Sequence, residues 1–177
     1  MNTRFFADGN LKVAYQVAGK GEPIVLLHSG TGSGMSDFAL YYDTLCGIFT
    51  VISYDRPGYG ESTAVDELEP GYLDMETERL SRLLDYLQVE KAHLWGWSDG
   101  MTIALKFAIR YPKQTLRIVA MSGHYQRHKS QAAEIYLRKM IARYPRFEPF
   151  GKVCQQVSQL PGELFDNQVK KRLMSAR

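Results

Sequence analysis

Cysteine, net charge and long apolar runs are all scarce in this 177-residue chain, and each scarcity excludes a class of protein. The only two cysteines, Cys46 and Cys154, fit neither a disulfide framework nor a metal-ligand spacing, so we expect two buried free thiols and no bound metal. No window of about eighteen apolar residues exists, and the N-terminus lacks an apolar stretch of signal-peptide length. We therefore expect a cytoplasmic protein that does not span a membrane.

The charge pattern excludes nucleic acid as an expected partner. The formal net charge is only +3, and the basic residues are scattered along the chain. One local cluster, Lys170-Lys171-Arg172, is more typical of a solvated helix face than of a nucleic-acid site. With 45% hydrophobic and 23% charged residues, the composition is that of one globular domain with a real core. No pattern in the chain calls for a cofactor.

Strand-like and helix-like segments alternate up to about residue 123. A β-hairpin is predicted for NTRFFADGNLKVAYQVAG, in which two runs of β-forming residues flank the turn Asp8-Gly9-Asn10. Continuous apolar runs predict buried strands in EPIVLLHSG, FTVISYD, KAHLWGW and LRIVAMSG. Helices are predicted over 73–88, where four leucines recur at helical spacing, and over 98–110. This alternation predicts an α/β fold with a mainly parallel sheet covered on both faces.

The alternation stops after Gly123, and no further strand is visible. From about residue 130 the sequence is helical or irregular, and prolines break it into short pieces. We therefore divide the chain into a core over residues 1–124 and a helical segment over residues 125–177.

A serine lies between two glycines where a strand-like run changes into a helix-like one. The segment Gly96-Trp97-Ser98-Asp99-Gly100 follows the pattern G-x-S-x-G, in which a sharp turn exposes a nucleophilic serine. The glycines remove the Cβ atoms that would collide in such a turn. The alternative is a serine that only caps a helix after a tight turn.

A second glycine-rich segment, His28-Ser29-Gly30-Thr31-Gly32, follows the first buried strand. A loop at this place can supply one backbone amide of an oxyanion hole, and the residue after the nucleophile supplies the other. The expected donors are therefore the backbone amides of Gly30 and Asp99. A phosphate-binding loop is the weaker alternative, because Met35 stands where G-x-G-x-x-G needs its third glycine and no Gly-Lys-Ser/Thr follows.

Three motifs in order, LLHSG, DRPGYGES and GWSDG, resemble the α/β-hydrolase superfamily over about residues 2–123. The resemblance is strongest to the biphenyl-hydrolase-like, valacyclovir-hydrolase-like serine esterases. It implies that Ser98 is the nucleophile and that Asp99 can receive the ammonium group of an amino-acid ester; the alternative for Asp99 is a simple first-turn acid. His28 and Trp97 are further candidate substrate-binding residues. Ser29 departs from the usual glycine, and the DRPGYGES loop is expected to shape the base of the pocket.

The catalytic triad cannot be completed from this sequence. In this fold the triad follows the order serine, acid, histidine. No histidine follows residue 128, and Asp99 is the only acid between Ser98 and His128. His28 belongs to the oxyanion loop and His93 to a strand. His124 and His128 follow the last predicted strand, and His124, near the expected pocket mouth, is a weak candidate for the general base.

The resemblance implies an explanation for the missing acid and histidine. Such proteins insert a helical cap after the sixth strand and then add two strands that carry these residues. We therefore expect an α/β-hydrolase fold that stops after the sixth strand and part of the cap, with an open sheet edge that invites self-association. The expected function is hydrolysis of small acyl esters, with weak or undetectable activity of this chain; the alternative is a non-catalytic module that binds a small ligand or a partner subunit.

Overall fold

The computed structural model describes residues 2–65 and 71–123. Its strands are β1 Arg4–Asp8, β2 Leu11–Gly19, β3 Glu22–Leu27, β4 Phe49–Tyr54, β5 Ala92–Trp97 and β6 Thr115–Met121. Its helices are α1 Tyr42–Cys46, α2 Tyr72–Tyr86 and α3 Asp99–Arg110, with single 3-10 turns at Ser36–Phe38 and Pro112–Gln114. The predicted helical segment 125–177 lies outside the described residues, as does Cys154.

All six strands form one sheet in the order β1-β2-β4-β3-β5-β6. The hairpin is antiparallel and turns at Gly9, whose φ of 61° suits a residue without a Cβ. β2 pairs antiparallel with β4, whereas β3, β4, β5 and β6 are parallel neighbours. The predicted mainly parallel sheet is confirmed, and the carboxyl ends of these four strands meet at one edge.

The sheet has an apolar core on each face, as a parallel sheet between helices requires. Along β3, Val25 and Leu27 point into the core shared with α2 and α3, while Ile24 and Leu26 point into the core shared with α1. These four side chains are at most 4% exposed. The continuous apolar run thus serves two cores at once.

A buried group of charges ties the hairpin turn to α2. The Asp8 carboxylate accepts hydrogen bonds from Arg79 Nε at 2.7 Å and from Arg82 Nε at 2.5 Å. Arg79 also forms an ion pair with Glu76, whose side chain is 1% exposed. The hydrogen bond from Arg82 is the largest cause that lowers the pKa of Asp8 below its ordinary value. This cluster fixes α2 against the end of β1.

Helix α1 was not predicted from the sequence. Cys46, at the end of this helix, is free but half-buried, whereas a buried thiol was expected.

β6 pairs with β5 and with no other strand among residues 2–65 and 71–123, and its Leu116 and Val119 are 39% and 45% exposed. Among the described helices, none has the length and apolar content needed to cross a bilayer.

Candidate active site

Ser98 lies at the turn that connects β5 to α3. Its backbone angles are φ 53° and ψ −112°, outside the regions that side-chain-bearing residues normally adopt. Its N–H donates to the carbonyl of Met121 at the end of β6, at 2.8 Å. Its own carbonyl accepts from the N–H of Met101 at 3.0 Å. Neighbouring elements therefore hold the strained residue in place, as is typical of functional sites.

The two flanking glycines allow α3 to begin in direct contact with the sheet. A Cβ on Gly96 would overlap the carbonyl of Gly100 and lie 2.5 Å from the nitrogen of Met101. A Cβ on Gly100 would overlap the carbonyl of Leu27 and lie 2.9 Å from that of His28. Both neighbours are backbone atoms that have little room to move. The first turn of α3 therefore packs against the end of β3.

Ser29, which stands where glycine is usual, organises the loop that follows β3. Its N–H donates to Asp37 Oδ2 at 2.7 Å. Its hydroxyl oxygen accepts hydrogen bonds from the N–H groups of Thr31, at 3.3 Å, and Gly32, at 3.1 Å. A serine oxygen that accepts from amides two and three residues later stabilises a tight turn. The departure from glycine thus has a structural use here.

Gly30 lies against the first residue of α3. A Cβ on Gly30 would be 2.7 Å from Oδ2 of Asp99. Within residues 2–65 and 71–123, no hydrogen bond takes up the N–H of Gly30. The N–H of Asp99 belongs to the first turn of α3, where the helix supplies no carbonyl acceptor four residues earlier. The two expected oxyanion donors therefore lie on adjacent segments beside Ser98.

His28 is 1% exposed and serves the loop structure. Its Nε2 accepts from the backbone N–H of Arg56 at 3.2 Å, and its Nδ1 lies 2.8 Å from the carbonyl oxygen of Ser29. Its ring also packs edge-on against Tyr59 at 4.8 Å between centroids. This burial argues against the direct substrate contact expected of His28.

Trp97 points away from α3. Along β5 the side chains alternate, and Trp97 packs with the apolar cluster on the α1 face of the sheet. It is half-buried, so part of its ring remains accessible near the carboxyl edge. Its expected contact with substrate stays a prediction.

Neither described histidine can serve Ser98 as a base. His28 is enclosed as stated, and His93 Nε2 lies 3.1 Å from Glu22 Oε2 at the beginning of β5. Ser98 lies five positions after His93 along the extended chain, a span of about 16 Å. His124, the weak candidate for the base, lies outside the described residues.

A cavity in the same part of the chain lies apart from Ser98. A cavity of about 270 Å³ opens between β2, β4 and the loop after β3, and neither Ser98 nor Asp99 lines it. Within residues 2–65 and 71–123, no three His, Cys, Asp or Glu side chains are grouped so that they could hold a metal ion. The strained turn at Ser98 is therefore the candidate site for chemistry.

Comparison with known proteins decides the family. A family model for the alpha/beta hydrolase fold matches residues 22–166. The chain belongs to this family. Membership of the α/β-hydrolase superfamily, expected from the three motifs, is thereby confirmed, and with it the fold class.

Several curated relatives of this α/β-hydrolase chain are hydrolases. A 2-hydroxy-6-oxo-6-phenylhexa-2,4-dienoate hydrolase of Burkholderia cepacia is 34% identical over 117 residues, which are 63% of this chain and 40% of the relative. The human serine hydrolase BPHL is 34% identical over 116 residues, which are 64% of this chain and 40% of the relative. The matched part of the chain thus spans about two-fifths of these proteins.

Solved structures share the fold. A hydrolase from Pseudomonas aeruginosa superposes with a TM-score of 0.69 at 22% identity, covering 98% of this chain and 67% of that protein. A mutant of a meta-cleavage product hydrolase gives a TM-score of 0.68 at 20% identity, covering 98% and 72%.

Proposed function

We propose that this α/β-hydrolase chain carries the nucleophile and the oxyanion hole of a serine hydrolase that acts on small acyl esters. The observation that carries the proposal is the backbone of Ser98, whose φ of 53° at the turn between β5 and α3 is maintained by hydrogen bonds from two neighbouring elements. A serine that only capped a helix would adopt the ordinary extended backbone of an N-cap residue.

The proposed chemistry begins with attack of the Ser98 hydroxyl oxygen on the ester carbonyl. Negative charge then develops on the former carbonyl oxygen, where the N–H groups of Gly30 and Asp99 donate hydrogen bonds. One donor of this kind contributes about 3 kcal/mol to stabilisation of the transition state. The N-terminal end of α3 favours the same negative charge, because the positive ends of its peptide dipoles face it.

The proton of Ser98 needs an acceptor, and we propose that it lies outside the described residues. His124 is the first candidate within this chain. Without a base the hydroxyl stays neutral, and the oxyanion hole alone gives a residual acceleration of roughly 10³–10⁴ over water in serine proteases. We therefore propose weak activity, and a non-catalytic binding module remains the alternative if no histidine reaches Ser98.

The names of the relatives favour a second candidate substrate. A 2-hydroxy-6-oxo-6-phenylhexa-2,4-dienoate contains a ketone whose carbonyl carbon is bonded to carbon on both sides, so its hydrolysis breaks a carbon–carbon bond. The same nucleophile and oxyanion donors would act on that ketone. Parallel assays with an ester and a dienoate ketone separate the two candidates.

The test compares the full chain with Ser98→Ala on p-nitrophenyl acetate and maps the residue that a fluorophosphonate modifies. Ser122→Ala is a matched control, because Ser122 has a similar φ of 51° and is exposed at the end of β6. We expect slow hydrolysis and a phosphonate adduct on Ser98, both lost in Ser98→Ala and kept in the control. Equal rates in Ser98→Ala and wild type, or an adduct only elsewhere, would refute the proposal.

A further inference from the structure

The carbonyl of Ser29 and the N–H of Gly30 belong to the same peptide unit. Because a trans peptide is planar, its C=O and N–H point in opposite directions. Arg56 Nη2 donates to the Ser29 carbonyl oxygen at 2.7 Å, and His28 Nδ1 lies 2.8 Å from the same atom. Whatever holds this carbonyl therefore also sets the direction of the Gly30 N–H.

Arg56 acts on that carbonyl directly and through His28. Its backbone N–H donates to His28 Nε2 at 3.2 Å, so we assign the ring proton to Nδ1, which lies 2.8 Å from the Ser29 carbonyl oxygen and 3.1 Å from Arg56 Nη2. That proton is then donated to the Ser29 carbonyl. Arg56 is itself 1% exposed, and its guanidinium carbon stacks 4.9 Å from the ring centroid of Tyr59. A buried and stacked guanidinium has little freedom to change its direction.

The next peptide unit is held as well. The Tyr59 hydroxyl donates to the carbonyl oxygen of Gly30 at 3.2 Å. Gly30 has no side chain, so its backbone would otherwise move easily between several conformations. Contacts at the carbonyls on both sides of Gly30 remove that freedom.

We propose that Arg56 and Tyr59 are positioning residues that aim the Gly30 amide at the oxyanion, an inference that rests on the proposed function. Both act through the carbonyl groups of the loop after β3. Loss of either contact lowers the rate of the reaction at Ser98 and leaves the binding of uncharged substrate nearly unchanged, because the oxyanion exists only in the transition state.

The first test measures how fast a fluorophosphonate modifies Ser98 in the full chain, per folded molecule. We expect Arg56→Met to slow the reaction at least tenfold, and by no more than the roughly 10²–10³-fold that complete loss of one oxyanion donor costs. Arg56→Lys should not restore it, because an ammonium group cannot stack on the Tyr59 ring as the planar guanidinium does. Arg110→Met is the control, since Arg110 is 55% exposed near the far end of α3. An unchanged rate with lowered thermal stability would mean a merely structural role.

The second test observes the Gly30 amide itself by NMR of the full chain labelled with ¹⁵N-glycine. Tyr59→Phe removes one oxygen atom and should shift the Gly30 resonance, whereas Tyr86→Phe, at a position 53% exposed, should not. An unmoved Gly30 resonance in Tyr59→Phe and Arg56→Met would overturn the inference even if Ser98 reacts. Absence of any Ser98 adduct in the wild-type chain would instead refute the proposed function, and the resonance would still decide the positioning.

Discussion

Gly100→Ala should loosen the junction between α3 and β3. The new methyl group would overlap the carbonyl oxygen of Leu27 and lie 2.5 Å from the Leu27 carbonyl carbon and 2.9 Å from the carbonyl oxygen of His28. These neighbours are backbone atoms of the sheet, so relief requires α3 to move away from β3. That movement would carry Asp99 away from Gly30.

The magnitude follows from two opposing effects. Alanine stabilises a helix interior by about 1 kcal/mol relative to glycine. Overpacking in a well-packed region costs about 1–3 kcal/mol, and backbone neighbours place this case at the upper end. We therefore expect the free energy of unfolding to fall by about 2 kcal/mol.

Urea unfolding followed by tryptophan fluorescence measures this loss, because both tryptophans of the chain, Trp95 and Trp97, lie in β5. Gly9→Ala is a matched control: its φ is 61° and nothing lies within 4 Å of the added Cβ, so it loses about 1–2 kcal/mol through backbone strain alone. Only Gly100→Ala should also slow phosphonylation of Ser98. Equal Ser98 reactivity in the two variants, or wild-type stability of Gly100→Ala, would refute the reasoning.

Three further predictions concern pH, selectivity and association. Burial raises the pKa of Glu76 from its ordinary 4.5 to about 7, so the folded state binds the proton more tightly and the free energy of unfolding should fall as pH rises between these values. Glu76→Gln should flatten that slope in urea titrations, and an identical slope would contradict it. Asp99→Asn should lower kcat/KM for α-amino-acid esters more than for neutral esters, because the backbone amide stays; equal losses would favour a simple first-turn acid. The β6 edge, which pairs with no second strand among residues 2–65 and 71–123, should make the chain self-associate, and a stable monomer over a wide concentration range in sedimentation would argue against it.

Most of the fold could be predicted from local patterns in the sequence. The continuous apolar runs identified β3 to β6 because a strand that serves two cores has no polar face to interrupt it. The turn at Ser98 was also predictable, because the two glycines that it needs, at positions 96 and 100, belong to the G-x-S-x-G motif. A Cβ at either position would overlap backbone atoms. α1 was not predicted, since the five residues Tyr42–Cys46 are too few to display a helical period.

Contacts between distant segments escaped the sequence analysis. The loop with Arg56 was recognised only as a shape-determining turn, because turn-forming residues surround it. Nothing local indicates that its guanidinium is buried against a carbonyl 27 positions earlier in the chain. The same limit applies to His28: its pattern suggested contact with substrate, whereas the partner that encloses it lies 28 positions later.

The order of strands in the sheet has a consequence for how the molecule folds. The hairpin of β1 and β2 closes locally, but β3 lies between β4 and β5 and pairs with both. β3 also pairs with β5, where Leu26 lies opposite Trp95. Forming this pair closes a long loop, and the chain entropy lost on closure is compensated only after the contacts between β3 and β5 have formed. During synthesis the apolar β3 therefore emerges well before its second partner, and it must avoid aggregation in that interval. The turn at Ser98 depends on both of the later strands, because it follows β5 directly and its N–H binds the carbonyl of Met121 at the end of β6.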